Sequence, residues 1–408
     1  MSHILIVGQK FTTLTDYIIA HGHEYTFIQD VRLTKFPDKK FKRRILGDFS
    51  SKEALLTSLK MLASKPDAVI ATYENYILAA AWAAEFLNLP GLPIAAAEAC
   101  TDKFLMRSMF ETAPEKISPA FATVSNEDEL TNFAKTHPFP LILKPANLAK
   151  SLLVTKNHSL EELIANYRKS HNLLQTTYLK YAPNRQPKLI IEEFLQGSIH
   201  SVDAFVDAQG TPTVLEQVVD YQTGYDIGYD DNFHYSRVLP SILSQTEIES
   251  LRHCAEVGII ALGMKNSPAH VEIIMTDDGP RIVEIGARNG GYRERMHSLA
   301  NGIDITGIAL SVALGNPPII KATRDDSCAV LELFPKKPGI FMGITNILEL
   351  QKLSSLNYIS IKVHEKSFVG KSADGYKMCA VIILYNSDKE AFLKDFEYVS
   401  ASVKVITQ

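Results

Sequence analysis

Residues 270–291 read HVEIIMTDDGPRIVEIGARNGG. Two apolar, β-branched runs, Val271–Met275 and Arg281–Ile285, flank a turn-rich Thr-Asp-Asp-Gly-Pro, and this pattern predicts a β-hairpin. With the turn centred on Asp278, Glu272 and Glu284 lie equally far from the centre and face each other across the strands. Strand alternation then places both carboxylates on one face and Val271, Ile273, Val283 and Ile285 on the other. Like charges directly opposite in a sheet are destabilising. A cation between them removes the penalty, and two oxygen ligands suit Mg²⁺, which keeps waters and takes phosphate oxygens for the rest of its shell. Arg288 follows Glu284 by one helical turn's worth of chain, close enough to meet an anion at such a metal. The competing reading is a solvated sheet face carrying two unrelated glutamates.

The rest of the chain narrows the choice. Its 408 residues exceed one ordinary core and predict two or three domains. Hydrophobic content of 46% and charged content of 22% are those of a soluble globular protein. A net charge of -4 and a pI near 6.3 argue against nucleic acid as the main partner. The apolar stretch Tyr76–Leu89 is interrupted by Glu85 and is too short to span a bilayer, so no membrane partner is expected. The opening MSHILIVG reads as a first strand and lacks the regions of a signal peptide. Cys100, Cys254, Cys328 and Cys379 are scattered without a CxxC, the pattern of reduced thiols in a cytoplasmic protein.

Strands at His3–Val7, Tyr25–Ile28 and Asp67–Ala71 alternate with helical patterns at Leu14–His21 and Ile77–Leu87, predicting a small parallel α/β domain. Gly8-Gln-Lys lacks the glycine-rich dinucleotide fingerprint, so a Rossmann cofactor site is not expected there. Thr101-Asp-Lys opens a helix, Leu141–Lys144 and Leu152–Thr155 read as strands around a loop, and Leu189–Phe194 is a strongly apolar strand. Ser201–Val206 and Thr213–Val218 pair around a turn, and Gln222–Arg237 reads as a long loop over a site. Gln245–Leu262 is an amphipathic helix, and Gly315-Asn-Pro-Pro ends the helix Ile305–Leu314. The last segment mixes strands near Ala329–Phe334, Ile359–Val363 and Met378–Tyr385 with a final helix over Lys389–Tyr398.

Four pieces then stand in one order: Asp102-Lys103 at a helix start, the strand FPLILKP ending on Lys144, the strand IIEEFLQG over 190–197, and the paired acids with Arg288. This order resembles the ATP-grasp superfamily, most closely the branch of L-amino-acid ligases and carnosine-synthase-like carboxylate–amine ligases. Tyr73-Glu-Asn-Tyr and Leu89-Pro-Gly-Leu also resemble that branch. The resemblance implies an α/β (α+β ATP-grasp) fold in three parts. These are a Rossmann-like parallel domain over 1–100, an ATP-grasp core of two α+β subdomains over 101–318, and a small α+β segment over 319–408. It implies ATP and Mg²⁺ as cofactors, with Mn²⁺ as a substitute, and small-molecule carboxylate and amine substrates. Related ligases are often dimers, which leaves a homodimer as an open expectation.

By the same resemblance, Lys103 and Lys144 contact the ATP phosphates. Glu192, Glu193, Phe194 and Leu195 form the hinge that binds adenine, largely through backbone groups and apolar walls. Glu272 and Glu284 hold the metal, and Arg288 stabilises the acyl phosphate and the tetrahedral oxyanion. Where the family has a glycine-rich phosphate loop, this chain reads PANLAKSLL over 145–153. Lys150 and Ser151 are the candidates to replace its backbone contacts. The family's ribose-binding glutamate falls on Ile199, and the asparagine completing the metal site falls on Gly286. Arg237 takes the place of a loop histidine and could bind a substrate carboxylate, with Asn289 and Gly290 as further substrate candidates. The expected reaction is ADP-forming ligation of a carboxylate, through an acyl phosphate, to an amine. An ATP-grasp ligase using another nucleophile and a degenerate ATP- or partner-binding protein stay open beside it.

Overall fold

A computed structural model describes residues 1–9, 12–33, 43–148, 152–182 and 185–408. The parallel α/β expectation for the N-terminus holds. His3–Gly8 pairs in parallel with Glu24–Asp30 and Ala68–Ile70, and Arg44–Gly47 extends the sheet beyond Glu24–Asp30. Leu5 and Val7 pack on one side with Ala79, Ala83 and Ala84, while Ile4 and Ile6 pack on the other with Leu14, Ile18 and Leu310. Burial on both faces is why this strand reads as an unbroken apolar run. Leu310 belongs to the helix Ile305–Ala313, so a helix from the central part of the chain closes the N-terminal sheet.

A four-stranded antiparallel sheet follows, ordered Phe121–Val124, Leu189–Glu193, Leu141–Pro145, Thr155–Asn157. Helices Glu127–Thr136 and Leu160–Tyr181 cover one face through Leu130, Phe133, Leu163 and Tyr167 against Leu141, Leu143, Leu189 and Ile191. Alternation therefore turns Lys144 and Glu192 to the opposite face.

The largest sheet has eight strands. Its order is Gly279–Gly286, Ser267–Thr276, Ser198–Val206, Pro212–Thr223, His234–Leu239, Ser327–Leu333, Ala380–Asn386, Leu356–Ile361. Its pairing runs without a break from the strand His234–Leu239 into Ser327–Leu333, so the C-terminal segment shares a sheet with the core. Val202, Ala204, Val271, Ile273, Ile282 and Ile285 bury one face under the helices Gln245–Ala261, Ile94–Thr101 and Lys103–Phe110. Helix Arg293–Ala300 packs on the other face through Met296 and Ala300.

Two expectations need correction. The segment 222–237 is only partly loop. Pro212–Thr223 runs to its end as strand, a short turn spans Tyr225–Ile227, and His234–Leu239 is a strand that buries Tyr235 and Leu239. The tyrosine and aspartate content masked the buried alternation.

The hairpin itself turns half a residue early. Thr276 pairs with Gly279 around Asp277-Asp278, and Ile273 pairs with Ile282. One extra residue, Val283, then bulges, and Glu272 comes opposite Glu284 as the sequence predicts. Ile282 and Ile285 take the core positions, while Val283 lines the cleft instead of packing in the core. Among the described residues, no helix is long and apolar enough to cross a membrane.

Candidate active site

A cleft of about 2870 Å³ lies among these sheets. Its walls carry Lys103, Lys144, Glu192–Leu195, Glu272, Glu284 and Arg288–Tyr292 from the core. Tyr73 and Glu74 come from the N-terminal domain, and Tyr358 and Lys362 from the C-terminal segment. Residues distant in sequence thus meet at one cleft.

Asp102 caps the helix Lys103–Phe110, accepting from the Phe104 and Leu105 N–H groups at 2.9 and 3.3 Å. It also pairs with Lys188 at 3.1 Å. This holds Lys103 at the first helical position, where its ammonium lies 2.8 Å from Glu284 and its N–H donates to the Ala146 carbonyl at 2.7 Å. Lys144 is buried, with Nζ 2.5 Å from Glu192. The other Glu192 oxygen accepts from Arg107 Nε at 3.1 Å, and Arg107 also donates to the Val283 carbonyl at the bulge, at 2.7 Å. Burial lowers the Lys144 ammonium to about 8, although Glu192 acts in the opposite direction. Burial opposes charge on Glu192 too, but Arg107 and Lys144 hold it below the usual carboxylate range.

The hinge therefore divides by residue. The Glu192 carboxylate is occupied by two cations and serves to hold Lys144. The Glu193 carboxylate accepts from the Ala120 N–H at 3.3 Å and lies 3.7 Å from the Lys116 ammonium. Phe194 and Leu195 line the cleft, and Lys156 stands 3.7 Å from the Phe194 ring centroid. Ile199 gives the cleft an apolar wall where the resemblance expects a carboxylate. Lys150 and Ser151 lie outside the described residues.

Glu272 and Glu284 fit a hard divalent cation. Both are half-buried and remain ionised. Burial raises Glu272, but His270, His234 and Arg288 outweigh it and hold it far below the ordinary range. Lys103 does the same for Glu284 against burial. The Lys103 ammonium already sits against Glu284, so the position accepts positive charge. Among the described residues no group of three or more His, Cys, Asp or Glu has metal-binding geometry, so water and phosphate would supply the rest of a Mg²⁺ or Mn²⁺ shell.

Arg288 is not paired with Glu284. Its Nε donates to Glu74 at 3.0 Å, and a terminal nitrogen donates to the Asn289 carbonyl at 3.1 Å. Gly286 lies beside this pair. A Cβ there would lie 3.4 Å from the Glu74 carboxylate and 3.7 Å from the Arg288 guanidinium carbon. Both are ordinary contact distances, so the pair does not depend on glycine there. Asn289 and Gly290 both line the cleft. Arg237 does not reach the cleft wall; it stands behind Tyr221 and Tyr292 and faces Glu332.

Sequence reasoning missed the polar network behind Glu272. His270 donates to Asp203 at 2.7 Å, and its other nitrogen stands 3.7 Å from Glu272. Arg293 lies 3.2 Å from Asp203 and donates to Ser201 and Tyr221 at 2.8 and 2.5 Å. Burial would lower His270, but the Asp203 carboxylate raises it to about 10. Asp203 sits among apolar residues in a strand that otherwise reads as core, and that was the available signal.

Residues 137–294 match the sequence model of the family described as "ATP-grasp domain". An alanine--anticapsin ligase from Bacillus subtilis (strain 168) is 27% identical over 235 residues, 55% of this chain and 49% of that protein. A phosphoribosylamine--glycine ligase from Streptococcus pneumoniae is 25% identical over 178 residues, 42% of this chain and 41% of that protein. The chain thus spans about half the length of the curated relatives it matches. Among solved structures, an L-amino acid ligase from Bacillus licheniformis superposes with a TM-score of 0.80 at 19% identity, covering 100% of this chain and 99% of that one. A phosphoribosylglycinamide synthetase from Anaerococcus prevotii gives 0.70 at 20% identity, covering 100% of both chains. The chain therefore has the ATP-grasp fold and carries an ATP-grasp domain. Within that fold it resembles the L-amino-acid ligases.

Proposed function

We propose that the protein is an ADP-forming ligase that activates the carboxylate of an amino acid as an acyl phosphate and transfers the acyl group to an amine. The observation carrying this reading is the meeting of Lys103, Glu272, Glu284 and Arg288 on one cleft, with Lys144 on the facing sheet. Phosphoryl transfer asks a protein mainly for positioning and charge neutralisation. Lys103 and Lys144 neutralise the triphosphate. Glu272 and Glu284 would hold a divalent cation, which would supply further charge neutralisation for the phosphates. A substrate carboxylate oxygen attacks the γ-phosphorus, and the bond to the β-phosphate oxygen breaks, releasing ADP. The amine then attacks the acyl carbon, loses a proton, and inorganic phosphate leaves. Arg288 stabilises the oxyanion, its Glu74 partner aiming the guanidinium.

The relatives named as ligases of alanine with anticapsin and of phosphoribosylamine with glycine support C–N bond formation, and neither name fixes the substrates here. The test is ADP and phosphate release from Mg-ATP, screened against single amino acids, amino-acid pairs and small carboxylic acids. Release requiring a carboxylate and an amine together confirms the ligase. Release that requires a thiol instead would move the reading to another nucleophile. Nucleotide binding without release under any pair would favour a binding protein.

A further inference from the structure

We propose that Glu332, supplied by the C-terminal strand Ser327–Leu333, is a positioning residue that restricts the activated substrate to uncharged side chains. This deepens the ligase reading and rests on it. Glu332 interrupts the apolar run Ala329–Leu333, and it is buried. One carboxylate oxygen accepts from the Tyr292 hydroxyl at 2.9 Å. The other lies 3.5 Å from the Arg237 guanidinium. That guanidinium is 5.6 Å from the Tyr221 ring centroid and 5.3 Å from that of Tyr292. Both tyrosines line the cleft beside Arg288–Gly291, so Arg237 stands directly behind the wall they form.

Two consequences follow from this geometry. Arg237 alone would attract an acidic side chain, but its charge is answered by Glu332. Neither lines the cleft, so a substrate carboxylate against the tyrosine wall would find no uncompensated positive charge behind it. Tyr292 is also held in place. Its backbone has φ +63, a left-handed conformation that a bulky residue adopts only under constraint. Its hydroxyl bond to Glu332 anchors the far end of this side chain beside Arg288. The C-terminal segment thereby contributes a residue to substrate selection from the same face of the shared sheet as Tyr221 and Tyr292.

The test compares wild type, Glu332→Gln and the double variant Glu332→Gln/Arg237→Gln as full chains. Hydroxylamine serves as an uncharged nucleophile, and hydroxamate and ADP are measured with neutral L-amino acids against L-aspartate and L-glutamate. Calorimetric binding of the same amino acids, with a non-hydrolysable ATP analogue present, reads selectivity without turnover. Glutamine keeps an acceptor for Tyr292 but removes the charge. Wild type should favour neutral side chains. Glu332→Gln should shift the preference toward acidic ones by about tenfold, with KM for ATP unchanged, and the double variant should lose that gain. An equal effect on all amino acids, an acidic preference in wild type, or a gain that persists in the double variant would each overturn the proposal. Absence of hydroxamate with every amino acid counts against the ligase reading, while the binding comparison still decides Glu332. If Glu332→Gln fails to fold, Tyr292→Phe replaces it. That variant keeps the charge on Glu332 and should weaken binding of neutral amino acids without any acidic gain, and an acidic gain there would equally overturn the proposal.

Discussion

Replacing Glu192 with Gln removes the carboxylate that holds Lys144 at 2.5 Å and Arg107 at 3.1 Å. Two buried cations then lose their shared counter-charge. Removing one partner of a buried pair typically costs about 3–5 kcal/mol. The effect on Lys144 can be worked separately. At an effective dielectric of about 20, unit charges roughly 4 Å apart interact by about 4 kcal/mol, and each pKa unit corresponds to about 1.4 kcal/mol. Allowing half of that for relaxation and water entry, Lys144 should fall by about 1–2 units from its value of about 8.

The sign for binding is that a protonated Lys144 attracts phosphate. Nucleotide affinity in wild type should weaken as pH rises through about 8. In Glu192→Gln the same weakening should begin about 1–2 units lower. Calorimetric titration with a non-hydrolysable ATP analogue at several pH values, in buffers of differing ionisation enthalpy, reports both affinity and proton uptake. Coincident profiles for the two proteins would refute the claim that Glu192 holds Lys144 charged. The sign for stability is the reverse of the usual lysine case. Because the folded pKa lies below the ordinary lysine value of 10.5, the unfolded chain binds more protons between about 8 and 10.5. Lys144 therefore makes stability rise with pH across that window.

Glu284→Gln should lower ADP release by about 100-fold or more while the fold survives, and weaken Mn²⁺ binding seen by paramagnetic resonance; unchanged metal binding would remove Glu284 from the metal site. Glu74→Gln should free Arg288 and reduce kcat by about 10- to 100-fold with little change in KM for ATP, because aim rather than nucleotide binding is lost. Gly290→Ala places a Cβ 2.4 Å from His270 Nδ1 and 2.8 Å from the Arg293 side chain. It should destabilise by about 1–3 kcal/mol in urea unfolding, and full wild-type stability would show that the loop can shift to accept it. Asp203→Asn should cost about 3–5 kcal/mol, since His270 and Arg293 lose their buried counter-charge.

Reading the chain alone reached the fold because its signals are local and periodic. The ILIV run after His3 needs both faces covered, and the helix Ile305–Ala313 does cover the second face. The spacing of Glu272 and Glu284 about an Asp-Asp-Gly turn required them to be opposite, and they are. Asp102 before Lys103 carried its own capping chemistry. In each case the deciding forces act within a few residues, through alternation, turn geometry or a cap.

What the tertiary structure alone decided is which charge each side chain spends, and on what. The bulge at Val283 moved one apolar residue into the cleft and offered its carbonyl to Arg107. Glu192 anchors Lys144, Glu74 reaches Arg288 from 214 positions away, and Glu332 answers Arg237 from 95 positions away. Such pairings arise because burying a charge is costly unless a partner arrives with it, and the partner may come from any part of the chain that packs there. Sequence spacing records the periodicity of each element, whereas the meeting of charges is set by how the elements are stacked.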